Sequence, residues 1–283
     1  MNGPDVLFLV GPTAVGKTAW SLELAANTGG EIVSADSRQI YRYMDIGTAK
    51  PTLAERAAIP HHFIDICNPD DYYSAGDFGR AGRACVADLL ARGRTPIVVG
   101  GSGFYIRALV DGLFAPAVSD AAVKEKWRQT IRERGQEEVF ATLRRVDPQT
   151  ADRLHVNDTQ RIVRALEVYE LTGEPISRFR HGQEQAADFT PLFIGLDRDR
   201  TQLYARIEER VDAMLAMGLV EEVQRLQAYG WGPHLNALRT VGYEEVFRFF
   251  SGELTLPAMT ALIKQNSRNY AKQIGRASCR ERV

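Results

Sequence analysis

Eight residues near the start, Gly11-Pro-Thr-Ala-Val-Gly16-Lys17-Thr18, have the types and spacing to hold an anion. They match G-x-x-x-x-G-K-[ST], with the apolar run Leu7–Val10 before them and a helical pattern from Lys17 to Ala26 after. Glycines let the backbone bend so that successive amides point inward, and the helix start adds partial positive charge. Lys17 brings a mobile ammonium, and the Thr18 hydroxyl can ligate a magnesium ion. A glycine-rich turn that matches by chance is the bland alternative; the flanking strand and helix argue against it. Such a loop reads a diphosphate, not a base. Ile97-Val98-Val99-Gly100 stands where a metal-binding Asp would be expected, and no Asn-Lys-x-Asp motif occurs, so the usual hydrolytic parts are missing.

Asp36 follows a second candidate strand, Glu31–Ser34, in Ser34-Ala-Asp-Ser-Arg-Gln-Ile-Tyr41. Ligands of open α/β sheets sit beyond the carboxyl ends of the strands. Asp36 can therefore act as a base or metal ligand near the phosphate loop, or it can cap the backbone that follows; spacing leaves the two readings equal. Gly100-Gly101-Ser102-Gly103 closes another strand and permits a close approach. Gln160, Arg161 and Arg164 share one flank of a helix, with Ile162, Ala165, Leu166 and Tyr169 turned inward. A solvated charged face is the ordinary reading there. Arg206 and Arg210 are four apart on a helix whose other stripe is Leu203, Ile207, Val211 and Met214, so an anion or acid must neutralise them.

The elements that must position these groups read as an α/β fold: a P-loop NTPase-like parallel sheet flanked by helices. Its apolar strands are Leu7–Val10, Glu31–Ser34, His62–Ile66, Pro96–Val99 and Pro191–Leu196. His61 and His62 look like a loop beside a strand, with no ligand-spaced partner. Residues 1–115 form the first part of the core, 116–190 a mostly helical insertion, and 191–283 the rest. Seven Lys/Arg and five Asp/Glu fall in 120–146, with Val123, Trp127, Ile131 and Arg134 at helical spacing.

The 283 residues are 45% apolar and 25% charged, which excludes disorder and collagen-like repeats. No run approaches the length needed to span a bilayer, and an early strand leaves no room for a signal peptide. Cys67, Cys85 and Cys279 form neither a CxxC pair nor a zinc cluster, as suits a reducing cytoplasm. Net charge is −1, so charge alone does not coat nucleic acid, yet 29 Arg stand against 6 Lys.

Five blocks in order, GPTAVGKT, DSRQIYRYMDIGTAKP, VVGGSGFYIRAL, NDTQRIVRALEVYELTG and RTVGYEE, closely resemble the bacterial tRNA dimethylallyltransferases (tRNA isopentenyltransferases) from about residue 5 to residue 272. The resemblance implies transfer of a dimethylallyl group from its diphosphate to the exocyclic amine of the adenosine just 3′ of the anticodon. It implies that Gly11, Thr13, Ala14, Val15, Gly16, Lys17 and Thr18 grip the diphosphate, with magnesium at Thr18, and that Arg210 adds a forked contact. Asp36 would be the general base or hydrogen-bond acceptor for the adenine amine. The flipped base and its neighbours would be held by Asp36, Ser37, Arg38, Gln39, Ser102, Gln160, Arg161, Ile162, Val163, Arg164, Arg239, Thr240, Val241, Gly242, Tyr243 and Glu244. Ser102 stands where the family commonly has threonine. The insertion would clasp the anticodon stem-loop of a tRNA, the chain working as a cytoplasmic monomer.

The chain departs from the family after Lys272, where Gln273–Val283 replaces an expected Arg-Gln and a Trp-Phe-Arg segment and looks foreign. Two other readings stand beside the first: prenylation of free adenine nucleotides, and RNA binding by a P-loop ATPase.

Overall fold

The computed structural model describes residues 4–112, 118–181 and 187–280, and of residues 121, 180, 181 and 276–280 only the backbone. The expected boundary at Pro116, the Cys279 side chain and residues 281–283 lie outside the described residues. The chain forms two compact units, residues 1–110 with 187–283, and residues 111–186.

In chain order the larger unit begins with β1 (Asp5–Val10), α1 (Lys17–Thr28), β2 (Glu31–Ala35), α2 (Leu53–Ala58), β3 (His61–His62), α3 (Ala75–Ala91), β4 (Pro96–Gly100) and α4 (Gly103–Val110). The smaller unit holds α5 (Ala121–Arg134), α6 (Gln136–Val146), α7 (Pro148–Ala151) and α8 (Thr159–Thr172). The larger unit resumes with β5 (Thr190–Gly195), α9 (Arg200–Ala216), α10 (Leu219–Ala228), α11 (Tyr243–Phe250) and α12 (Leu256–Arg280).

Among the described residues the strands make one five-stranded sheet, ordered β3-β2-β4-β1-β5 and parallel throughout. Strand alternation divides its apolar side chains between two faces. Val6, Phe8, Val33, Ala35 and Val98 enter the main core with Phe78, Leu89 and Leu109. Ile32 and Ile97 enter a second cluster with Ala25 of α1. Both faces are thus covered, which explains why the strands read as continuous apolar runs.

The central strands approach closely at their carboxyl ends. A Cβ on Gly100 would lie 2.1 Å from the backbone oxygen of Ala35. We expect Gly100→Ala to destabilise the fold by about 2 kcal/mol or more, read as a lower urea midpoint; an unchanged midpoint would mean that β2 and β4 can part without penalty.

Three expectations need correction. The third strand is not His62–Ile66, because positive φ at Phe63 (63°) and Asp65 (56°) leaves the extended region. His61 and His62 are the strand, not a loop, and His62 Nε2 lies 2.8 Å from Glu31 Oε2. Tyr169 does not turn inward but is 37% exposed. Helix α3 opens at Ala75, where Ser74 and Asp77 cap each other reciprocally.

The smaller unit has its own core of Val139, Phe140, Leu143, Ile162, Ala165 and Leu166, with Trp127 and Ile131 packed against it. Its first helical stretch breaks at Gly135, which has φ +87°.

Candidate functional site

The Gly11–Thr18 loop leaves β1 through Gly11 (φ +148°), where a Cβ would meet the Leu196 backbone oxygen at 2.6 Å. Gly16 (φ +115°) caps α1, whose first residue is Lys17. Lys17 Nζ donates to the Gly11 and Pro12 oxygens, each at 2.8 Å. Burial pushes its ammonium down to about 8; the Asp36 charge opposes that shift and Arg210 adds to it.

Helix α9 is pinned to this loop by apolar contact. Val15 packs with Leu203, Ile207 and Ala271, so the Val15 side chain anchors the helix, and only its backbone remains for an anion. The docking aims both arginines at the loop. Arg206 Nε donates to Ala14 O and Arg210 Nη1 to Thr13 Oγ1, both at 3.0 Å. Neither pairs with Glu209 or Asp212. Burial lowers the Arg210 pKa, and the Asp36 charge resists it.

At the end of β2, Asp36 Oδ1 accepts from Arg38 N (2.8 Å) and Gln39 N (3.4 Å). The capping reading of Asp36 is thus realised: one oxygen caps the turn, and the carboxylate charge opposes the lowering of the Lys17 and Arg210 pKa values. Ser102, beyond β4, ties the turn down. Its Oγ accepts from Ser37 N (3.0 Å) and donates to Ser37 Oγ (3.2 Å). Gln39 Nε2 donates to Thr48 O and Ala49 O, and Arg38 Nη1 to Asn236 O at 2.8 Å.

Some expected contact residues are turned elsewhere. Tyr243 is fully buried, with its hydroxyl donating to Glu222 Oε1 at 2.7 Å and its ring lying against Gly47. Its side chain cannot meet RNA. In the smaller unit, Ile162 and Val163 are buried, and Arg164 Nη1 donates to the buried Glu167 (2.7 Å), a carboxylate that needs a partner. Gln160 and Arg161 are exposed, as are Arg239 and Glu244; Thr240 and Val241 are half-buried, and Gly242 N donates to Glu245 Oε2.

Two residues escaped the sequence reading. Glu222 accepts from Asp45 N, Ile46 N and Gly47 N at 3.0, 2.8 and 3.1 Å, although beside Glu221 it reads as helix-surface charge. Tyr270 of α12 feels Asp36: burial first, then that charge, pushes its phenol up to about 12. A cavity of about 250 Å³ adjoins the loop, walled by Gly11, Pro12, Leu196, Leu203, Tyr204 and Lys272.

The described residues hold no group of three or more His, Cys, Asp or Glu fit for a metal. Magnesium is content with one or two protein oxygens, completing its shell from phosphate and water. The exposed Thr18 hydroxyl at the helix start fits that limited role.

A glycine-bounded loop at the end of the first of five parallel strands, bonded by Arg206 and Arg210 of α9, defines a P-loop-like α/β fold. The family model for IPP transferase matches residues 39–274, and that for isopentenyl transferase matches residues 4–71. The chain belongs to the IPP transferase family. It is 47% identical over 271 residues to tRNA dimethylallyltransferase 1 of Pelobacter propionicus, covering 95% of this chain and 88% of that protein. It is 45% identical to the tRNA dimethylallyltransferase of Geobacillus thermodenitrificans, covering 95% and 85%. The full-length tRNA isopentenylpyrophosphate transferase of Bacillus halodurans superposes with TM-score 0.70 at 35% identity, covering 99% of this chain and 88% of that one. A eukaryotic dimethylallyltransferase acting on tRNA gives TM-score 0.82 at 28% identity, covering 96% and 69%. The family match ends at Ile274, the second residue of the segment that departs from the expected pattern. Among the described residues no helix is long and apolar enough to cross a membrane.

Proposed function

We propose that this chain transfers the dimethylallyl group of dimethylallyl diphosphate to the exocyclic amine of the tRNA adenosine just 3′ of the anticodon, releasing diphosphate, and works as a monomer in the cytoplasm. The observation that carries this reading is a carboxylate beside a loop built for anions: Asp36, capped on one oxygen at the end of β2, stands two strands from the loop on which Lys17 and Arg210 converge. Prenyl transfer needs both parts. The C–O bond breaks as the amine nitrogen attacks the allylic carbon, and charge gathers on the departing diphosphate. The amides of residues 13–18, Lys17 and Arg210 stabilise that charge. The amine is a weak nucleophile, so Asp36 orients it and takes its proton. Magnesium, held at Thr18, adds neutralisation of the leaving group when bound. The turn from Asp36 to Gln39, Ser102, Arg239 and Glu244 supply groups to hold a base flipped from its stack.

The decisive experiment incubates the protein with dimethylallyl diphosphate, magnesium and a tRNA bearing that adenosine. A mass gain of one dimethylallyl group per tRNA is expected; none, with a control enzyme active, refutes the reading.

Lys17 makes the grip sensitive to pH. Its charged form binds diphosphate, and its lowered pKa means that charge is lost as pH rises through about 8. Affinity for inorganic diphosphate should therefore fall several-fold between about pH 7 and 9, measured by calorimetry. A flat profile would remove Lys17 from the anion site.

A further inference from the structure

Three aromatic rings meet on the larger unit, in contacts that the reaction does not use. The Tyr43 centroid lies 5.6 Å from both Tyr229 and Trp231, and those two lie 5.4 Å apart. Tyr43 is 49% exposed and Tyr229 63%, while Trp231 packs partly against the core and anchors the group. Tyr43 adopts φ +67°, a left-handed conformation that glycine enters freely and an aromatic residue does not. A disfavoured backbone state here serves to present a ring.

The neighbourhood indicates what that ring group meets. Tyr43 belongs to the segment that opens with the Asp36 turn, and Tyr229 and Trp231 open the loop that leads to Arg239. Arg38 joins the two segments through Asn236 O (2.8 Å) and Arg239 O (3.4 Å). Residues 38–43 and 229–239 contain Arg38, Arg42 and Arg239 and no Asp or Glu; of the flanking acids, Asp36 accepts from the Arg38 amide and Asp45 is paired with Lys50. An aromatic group on cationic loops suits a polyanion with open π faces, because every base can stack and every phosphate seeks positive charge. All three side chains are Tyr or Trp, whose polar tips tolerate a wet contact.

We propose that Tyr43, Tyr229 and Trp231 form a stacking platform for an unpaired base of the substrate RNA's loop, beside the base that reacts. The assignment rests on the reading that this chain acts on tRNA. Tyr43→Gly/Tyr229→Ala removes two rings at positions where the new residues fit the backbone. Its KM for an anticodon stem-loop RNA should rise about five- to a hundredfold, with the KM for dimethylallyl diphosphate unmoved. Tyr43→Phe/Tyr229→Phe should restore the RNA KM, since stacking needs the ring and not the hydroxyl. In a Trp20→Phe/Trp127→Phe background, the stem-loop should quench the remaining Trp231 fluorescence. An unaltered RNA KM in the ring-deleted variant, failure of the Phe pair to restore it, or no quenching would overturn the platform. Quenching without prenyl transfer by the wild-type chain would instead overturn the enzymatic reading and leave the platform standing.

Discussion

Asp36→Asn is expected to cut prenyl transfer by about a hundred- to ten-thousandfold, the usual worth of a placed general base, while the protein stays folded. Asparagine keeps an oxygen for the Arg38 and Gln39 amides, so the turn survives. It cannot accept the amine's proton. Asp36→Ala should lose as much activity and about 1 kcal/mol of stability with the cap. Single-turnover rates at saturating donor and tRNA, beside a denaturation curve, separate the two losses. If the Asn variant turned over at the wild-type rate, Asp36 would be a cap and nothing else. Because Asp36 also supports the Lys17 charge, the same variant should weaken diphosphate binding modestly at alkaline pH.

The second large effect concerns stability. Glu222→Ala is expected to cost about 2–4 kcal/mol, because it strands the buried Tyr243 hydroxyl and takes the acceptor from three backbone N–H groups of a part-buried turn. Burial and the Glu222 charge hold the Tyr243 phenol well above its ordinary pKa, so the hydroxyl remains a donor. Glu222→Gln should cost less, since one oxygen still accepts while its NH₂ faces a donor. The damage should reach the site: residues 45–47 lead into Thr48 and Ala49, whose oxygens hold Gln39. Urea unfolding of the two variants measures this, and a Glu222→Ala midpoint equal to wild type would contradict the assignment.

These residues also mark where sequence reading stops. The shape of the Gly11–Thr18 loop was legible because it is local geometry, a bend and a helix start that eight residues encode. Apolar runs located four strands for the same reason. His61 and His62 were misread because no pattern of apolarity reports the positive φ at Phe63 that ends their strand. Tyr243 lies in a motif suggestive of RNA contact, yet its partner is Glu222, 21 positions away on another helix. Long-range pairings of buried polar groups leave no periodic trace, so nothing in the sequence marked Glu222. Arg164 pairs locally, three positions before Glu167, but helical spacing does not tell that Glu167 is buried and needs that cation.

The sheet order also works as a ruler. Asp36 leaves β2 and the anion loop leaves β1, with β4 running between them. Two inter-strand spacings set roughly 10 Å between Asp36, the proposed proton acceptor, and the loop proposed to cradle the diphosphate. Ladder bonds on both sides of β4 hold that gauge, and its rung ends in Gly100 and Gly101, which put no side chain into the gap. The span is therefore a property of main-chain architecture. In the proposed reaction it would leave room for an allylic carbon between leaving oxygen and incoming nitrogen, and it cannot be retuned by exchanging side chains at either end.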